Sequence, residues 1–259
     1  MKKITAFGNQ IIPVEKGELA SGLIGEGRMA EPEIIVNWVT SFFLSQHELK
    51  GKNVLVTAGP TYEAIDPVRF IGNKSSGKQG IAIAKAAAAR GADVHLIAAN
   101  FDTDSLSGIH VTKVESTSDM KQALDSNFDQ CDILIMSAAV ADARPSHVAQ
   151  EKIKKASLSN IELEANPDLL AEISARKSTQ ILVGFAAETK DHLQEARRKL
   201  EAKGLDVIYV NDVSGGAIFG QDTTMGTILI RNEADIAVKE VSKDALSNTL
   251  LDQAIRQLG

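Results

Sequence analysis

Residues 73–80, Asn73-Lys74-Ser75-Ser76-Gly77-Lys78-Gln79-Gly80, place two hydroxyls, a glycine and a cation just before an alanine-dense stretch, 79–90, that reads as a helix. Hydroxyls, backbone N–H groups and a lysine gathered at a helix N-terminus make, in physical terms, an anion site. The spacing matches neither the Gly-x-x-x-x-Gly-Lys-Ser/Thr phosphate loop nor the three-glycine dinucleotide fingerprint. A phosphate cradle and a serine-rich helix cap with a solvated lysine are therefore both open readings of this loop.

Further groups lie downstream. Ser137-Ala138-Ala139-Val140-Ala141-Asp142 is rich in small residues, which let a flat base or ribose approach the backbone. Asp142 either caps a turn, hydrogen-bonds a nucleotide, or holds a magnesium ion together with the phosphates. Glu151-Lys152-Ile153-Lys154-Lys155 concentrates lysines, and Lys199 and Lys203 recur one helical turn apart. Spacing alone favours a solvated basic turn. Their place after a ligand-side loop in an acidic chain favours convergence on a triphosphate and its departing pyrophosphate. Phe185, within Gly184-Phe185-Ala186-Ala187-Glu188-Thr189, either stacks on a base or belongs to the core. Asn211-Asp212-Val213-Ser214 follows another strand, and Asn166-Pro167-Asp168-Leu169-Leu170 opens a helix whose first N–H groups can face a polar ligand.

The elements that must position these groups alternate. Short apolar, branched runs predict strands over 54–58, 94–98, 111–114, 133–137, 181–185 and 207–210. Helical patterns fall over 79–90, 118–127, 167–177 and 190–203, the second preceded by N-cap oxygens at 116–119. Strands separated by helices predict an α/β fold: a Rossmann-like, mostly parallel sheet with helices on both faces and ligands beyond the carboxyl ends of the strands. The loops after Ala58, Ser137, Phe185 and Val210 are then the functional ones. A hairpin over 227–231 and 237–241 and an amphipathic helix over 243–258 close the chain. Residues 1–48 do not resemble a domain. They offer one short strand within 4–14, a loop punctuated by Gly17, Gly22, Gly25 and Gly27, and a helix from Pro32 with Ile35, Trp38, Val39, Phe42 and Phe43 on one face.

Bulk properties exclude several classes. A chain of 259 residues with net charge −6 lacks the basic excess of a nucleic-acid binder. Its single cysteine, Cys131, excludes a disulfide framework and reads as a structural thiol. The five histidines share no metal-ligand spacing. Neither Tyr62 nor Tyr209 has a lysine four residues on, which counts against a short-chain dehydrogenase. The residues after Met1-Lys2-Lys3 are too few and too polar for a signal peptide, and no apolar run approaches a membrane span. The expected location is cytoplasmic, with no membrane partner.

The segments 54–61, 66–71, 73–80, 138–142, 152–155, 184–189 and 211–214 together resemble, in order, phosphopantothenoylcysteine synthetase, the ligase half of bacterial bifunctional coenzyme A biosynthesis proteins. Residues 17–39, especially Gly25-Glu26-Gly27-Arg28-Met29-Ala30-Glu31-Pro32, resemble the tail of the decarboxylase half. The resemblance implies an extension over 1–48 and a synthetase domain over 49–259. It implies that CTP activates 4′-phosphopantothenate as an acyl-cytidylate, with magnesium, and that L-cysteine displaces CMP. By the same resemblance, Asn73 would hold the acyl-cytidylate, Arg69 would support that loop or meet a substrate phosphate, and Lys152 would stabilise charge at the α-phosphate. Ser75, Ser76 and Lys78 would face phosphates. Ala138, Ala139, Val140, Asp142, Phe185, Pro167, Asp168, Leu169 and Leu170 would border the cytidine, Lys199 and Lys203 would meet the nucleotide, and Asn211 would contact substrate. It also implies a homodimer whose site is covered by a flap over 144–164. Tyr62, Gly72 and Gln79 depart from the commoner pattern, which has arginine, serine or threonine, and methionine there.

Overall fold

The computed structural model describes residues 11–18, 24–45, 47–103, 106–155, 160–188, 192–212 and 221–258. The chain divides into two compact units, residues 1–48 and 49–259. In the first, β1 (Glu15–Glu18) pairs antiparallel with β2 (Ile24–Arg28), and α1 (Pro32–Ser45) follows. The glycine-punctuated loop expected here is a hairpin, with Gly17 opposite Gly25. Cross-strand pairing needs only backbone groups, so a glycine-rich strand carries no hydrophobic period to announce it. Most of the strand expected within 4–14 lies outside the described residues, and 11–14 are not a strand. Of the expected stripe on α1, Ile35 and Trp38 are half-buried, Val39 is exposed, and the side chains of Phe42 and Phe43 lie outside the described set.

The second unit is built on β3 (Asn53–Ala58), β6 (Asp93–Ala99), β7 (His110–Val114), β8 (Ile133–Met136), β11 (Ile181–Glu188), β12 (Val207–Asp212), β13 (Thr223–Ile230) and β14 (Ile236–Ser242). They form one sheet in the order β14-β13-β12-β11-β8-β3-β6-β7, parallel from β12 to β7 and antiparallel at β13 and β14. Side chains alternate between the faces with period two. Val54, Val56 and Ala58 join Ile83, Ala84 and Ala87 of α2 (Lys78–Ala89) and Leu246, Leu250 and Leu251 of α6 (Lys243–Gln257). Leu55, Leu134 and Ile208 join Met120 and Leu124 of α3 (Thr117–Asn127), Leu169 and Ile173 of α4 (Leu169–Ser174), and Leu200 of α5 (His192–Ala202). Each buried leucine or isoleucine contributes about 1.5–3 kcal/mol.

The helix expected over 167–177 is only α4, because Asp168 caps it and Pro167 lies outside. Between the strand expected over 54–58 and the helix expected over 79–90 the chain forms a hairpin, β4 (Tyr62–Asp66) with β5 (Arg69–Gly72). A second short pair, β9 (Ala143–Pro145) with β10 (Leu163–Ala165), brackets the segment expected as a flap. The chain runs from β3 outward to β6 and β7, then returns to β8 on the other side. That reversal between β3 and β8 is the crevice where ligands of open α/β sheets bind.

α2 lies close to the sheet at its first turn. A Cβ on Gly80 would sit 2.4 Å from the Ala58 Cβ and 2.6 Å from the Ser137 Oγ. In an ordinary helix interior, glycine to alanine adds up to about 1 kcal/mol of stability. Here overpacking, which costs about 1–3 kcal/mol, has the opposite sign and wins. Gly80→Ala is expected to lower the unfolding free energy by that amount, read as a lower urea midpoint with an unchanged m-value. A midpoint at or above that of the unmodified chain would show that the contact is looser than described.

Candidate functional site

A cavity of about 120 Å3 opens at the carboxyl ends of the strands. Ser75, Ser76, Gly77, Lys78, Gln79 and Gly80 supply one wall, and Ser137, Phe185, Tyr209, Asn211, Thr224 and Lys243 the others. The start of α2, the residue after β8 and residues of β11, β12 and β13 thus meet at one place; the loops expected after Phe185 and Val210 are still strand as far as Glu188 and Asp212, and the segments beyond lie outside the described residues. Gly77 occupies the N-cap of α2 at φ +69°, and no side chain caps that end. First-turn N–H groups without a cap are suited to an external acceptor. Gln79 donates to the Ser247 Oγ at 2.9 Å, tying the start of α2 to α6.

The far wall is held by a chain of hydrogen bonds. Thr224 Oγ1 donates to Asn211 Oδ1 at 3.1 Å and lies 2.8 Å from the Tyr209 hydroxyl. With Thr224 donating to Asn211, the tyrosine donates to Thr224, and the amide NH2 of Asn211 is left to donate elsewhere. Tyr209 is fully buried, and burial pushes its phenol up. Phe185 is half-buried and meets Tyr209 edge-on, with centroids 5.7 Å apart. It packs against the core and also forms part of the cavity wall.

Beside this cavity the loop after β8 lies against the loop after β3. Thr61 donates its N–H to the Ala139 carbonyl, and its Oγ1 accepts from the Ala141 N–H at 2.9 Å. Asn73 Nδ2 donates to the Val140 carbonyl at 2.9 Å. This joins Asn73 to Ala138, Ala139 and Val140, next to the cavity rather than in its lining. Buried Glu63 accepts from the Thr117 N–H and Oγ1, and Asn166 Nδ2 reaches the Ala141 carbonyl. Asp142 is exposed on this loop.

The lysine-rich run is anchored by Asp66. Its carboxylate accepts from the N–H groups of Val68 and Arg69 at 2.9 Å and of Ile153 at 3.2 Å, with the Arg69 Nε at 3.6 Å. Arg69 Nη2 donates to the Ile153 carbonyl at 2.8 Å. Arg69 therefore positions the residue after Lys152, and Lys152 itself is exposed. Burial pushes the Asp66 carboxyl up, but the three N–H donors and the guanidinium outweigh it and hold it below the usual carboxylate range.

Other predicted residues stand apart from the cavity lining. Lys203 pairs with Asp168 at 2.6 Å, so these two expected nucleotide ligands meet each other; Leu169 is core and Pro167 precedes the cap. Lys199 is half-buried on α5. Lys78 lines the cavity but pairs with Asp222 at 2.7 Å. Thr189, Val213 and Ser214 lie outside the described residues. Cys131 is buried, its thiol pushed up to about 12 by burial and by Asp132, as suits a structural residue.

The sequence over residues 49–258 matches the family described as the DNA/pantothenate metabolism flavoprotein C-terminal domain. The chain belongs to that family. It is 44% identical over 251 residues to the coenzyme A biosynthesis bifunctional protein CoaBC of Bacillus subtilis, covering 95% of this chain and 62% of the relative. It is 47% identical over 234 residues to a protein from an unknown prokaryotic organism named cysteine/cysteine sulfinic acid decarboxylase, covering 87% of this chain and 65% of that one. The chain spans less than two thirds of the length of these curated relatives. Among solved structures, the C-terminal domain of a CoaBC protein superposes with TM-score 0.71 at 35% identity, covering 82% of this chain and 98% of that one.

In this flavoprotein C-terminal domain the sequence reading missed Gln79, Tyr209, Thr224 and Lys243 as cavity residues, and Asp66 as an anchor. Asp66-Pro67 was legible as a turn, since aspartate commonly accepts from N–H groups two residues on. Its bond to Ile153, 87 positions away, was not. Because the folded carboxyl titrates below the unfolded one, its contribution is complete above the unfolded value and is lost as pH falls through the folded value. Protection of the Ile153 amide from hydrogen exchange, corrected for intrinsic rates, is therefore expected to fall below about pH 4. In Asp66→Asn it should be reduced already at pH 7. Equal protection in both proteins at pH 7 would remove Asp66 as the anchor.

Proposed function

We propose that this domain is a CTP-dependent ligase that condenses 4′-phosphopantothenate with L-cysteine. The observation that carries the reading is the cavity at the β3–β8 reversal, where hydroxyls, an uncapped helix end, lysines and an aromatic wall converge. Membership of a family whose relatives include bifunctional coenzyme A biosynthesis proteins supports it. A carboxylate of phosphopantothenate attacks the α-phosphorus of CTP and pyrophosphate leaves. The amine of cysteine then attacks the acyl-cytidylate, and CMP leaves. Such chemistry needs positioning and charge stabilisation rather than a protein nucleophile.

In this scheme Ser75, Ser76 and Lys78 receive phosphates, Phe185 lies against the cytidine, and the NH2 group of Asn211 donates to substrate. Asn73, Ala138, Ala139 and Val140 form the edge where the acyl group is joined to the nucleotide. Lys152 is carried to the α-phosphate by the segment that Asp66 and Arg69 anchor. Lys199, Lys203, Asp168 and Leu170 border the nucleotide only if the Lys203–Asp168 pair is exchanged for ligand contacts. Among the described residues no group of three or more acidic, histidine or cysteine side chains could hold a metal. A magnesium ion fits Asp142 only as a shared ligand with the phosphates, where it would offset their charge. Val68, Phe70, Val148 and Leu163 are exposed apolar residues on and around the two short hairpins. We read them as the face that a second copy covers in a homodimer. Among the described residues no helix is long and apolar enough to cross a membrane, and we place the reaction in the cytoplasm.

The test supplies CTP, phosphopantothenate and magnesium before cysteine. Pyrophosphate release without cysteine is expected; folded protein that releases none would overturn the ligase reading. Asn73→Asp is expected to form the cytidylate yet turn it over at least about tenfold more slowly, since it loses the donor to the loop of Val140. Full activity of that variant would remove Asn73 from the site.

A further inference from the structure

The sequence presents Lys243 only as the first residue of a closing amphipathic helix. In the structure Lys78 and Lys243 open α2 and α6, which lie side by side, and both line the same cavity. A cation in the first turn of a helix is opposed by the helix dipole. Two such cations at one cavity break a local rule twice, and such breaks concentrate where a ligand compensates for them. Lys243 is half-buried. Burial and then the charge of Lys78 push its ammonium pKa down, while Asp222 acts the other way. Asp222 pairs with Lys78, but its side chain is 88% exposed, so water screens the pair. The Lys243 ammonium donates to the Gln221 carbonyl, which uses one of its three donors. Its backbone is tied to the residue before β13, since its own N–H bonds the Asp222 carbonyl at 3.0 Å.

We infer that Lys243 is an anion-binding residue of this cavity, that it and Lys78 together receive the triphosphate of the nucleotide, and that Asp222 competes with that anion for Lys78. The inference rests on the cavity being the nucleotide site, and it adds a residue to it. It also gives Asp222 a sign: the carboxylate weakens anion binding rather than supporting it.

Calorimetry on the full chain, with CTP and with inorganic tripolyphosphate as separate probes, tests this. Lys243→Met keeps most of the aliphatic stem and removes the charge. It should weaken both probes about tenfold, the effect of losing one charge-assisted hydrogen bond. Lys85→Met, an exposed control on α2, should leave both unchanged. Asp222→Asn should tighten both by about threefold, the scale of an exposed ion pair. If Lys243→Met does not fold, Asp222→Asn decides alone: tighter binding supports the inference, and unchanged or weaker binding overturns it. If the unmodified chain and folded Lys243→Met bind CTP and tripolyphosphate equally, the inference fails and the nucleotide reading stands. If tripolyphosphate binds in a Lys243-dependent way while CTP does not bind, the anion site stands and the nucleotide reading fails. Binding of neither probe overturns both.

Discussion

The site depends on how closely the first turn of α2 can approach the end of β3. Gly80 touches Ala58 and Ser137 where a side chain would not fit. The ring of Phe101 lies against Gly59 and Gly77, whose added Cβ atoms would meet it at 2.5 and 2.7 Å. Both glycines have positive φ, +85° and +69°, which other residues adopt only with strain. Three glycines, one alanine and one wedged ring thus bring the N–H groups of a helix start to the strand ends. Larger residues would lift the helix, and Ser75, Ser76 and Lys78 would no longer share a cavity with Phe185 and Asn211.

Around that contact, loops distant in sequence are tied by buried polar groups to backbone atoms. Glu63 and Thr117 hold the start of α3, and Thr61 and Asn166 hold Ala141. Asp66 and Arg69 hold Ile153, and Asn73 holds Val140. A carboxylate that accepts several N–H bonds is stable when buried, and each bond fixes a loop's position rather than its composition. This suits chemistry whose acceleration comes from orienting an anionic substrate and a triphosphate. The lysines can stay mobile at their tips while the backbone that carries them is fixed.

Much of the architecture was legible, for a plain reason. β3, β8, β11 and β12 are runs of branched apolar residues buried on both faces, and α2 is an alanine helix with a clear start. The carboxyl-end rule then pointed to the right end of the sheet: the chain after Ala58 and Ser137 lines the cavity, while at Phe185 and Asn211 it is the strands themselves that do so. What was not legible depends on long-range pairing. β4 with β5 and β9 with β10 are short, and part of their support is contact between them. Tyr209 looks like a core residue because it is one, and only its hydroxyl reaches Thr224. Thr224 falls before the expected hairpin, because the register of β13 shifts between Thr224 and Gly226. Lys243 carries no motif, since its neighbours in the cavity come from the start of α2, from Ser137 and from strands β11, β12 and β13. The expected Lys203 and Asp168 ligands satisfy each other through a contact that spacing does not reveal.

The most direct test of the account is a crystal structure of the chain with CTP and magnesium. The triphosphate is expected at the start of α2, within hydrogen-bond reach of Ser75, Ser76 and the first N–H groups of that helix, with the base against Phe185. A triphosphate held instead by Lys199 and Lys203 along α5, with the cavity at Gly77 free of phosphate, would contradict it.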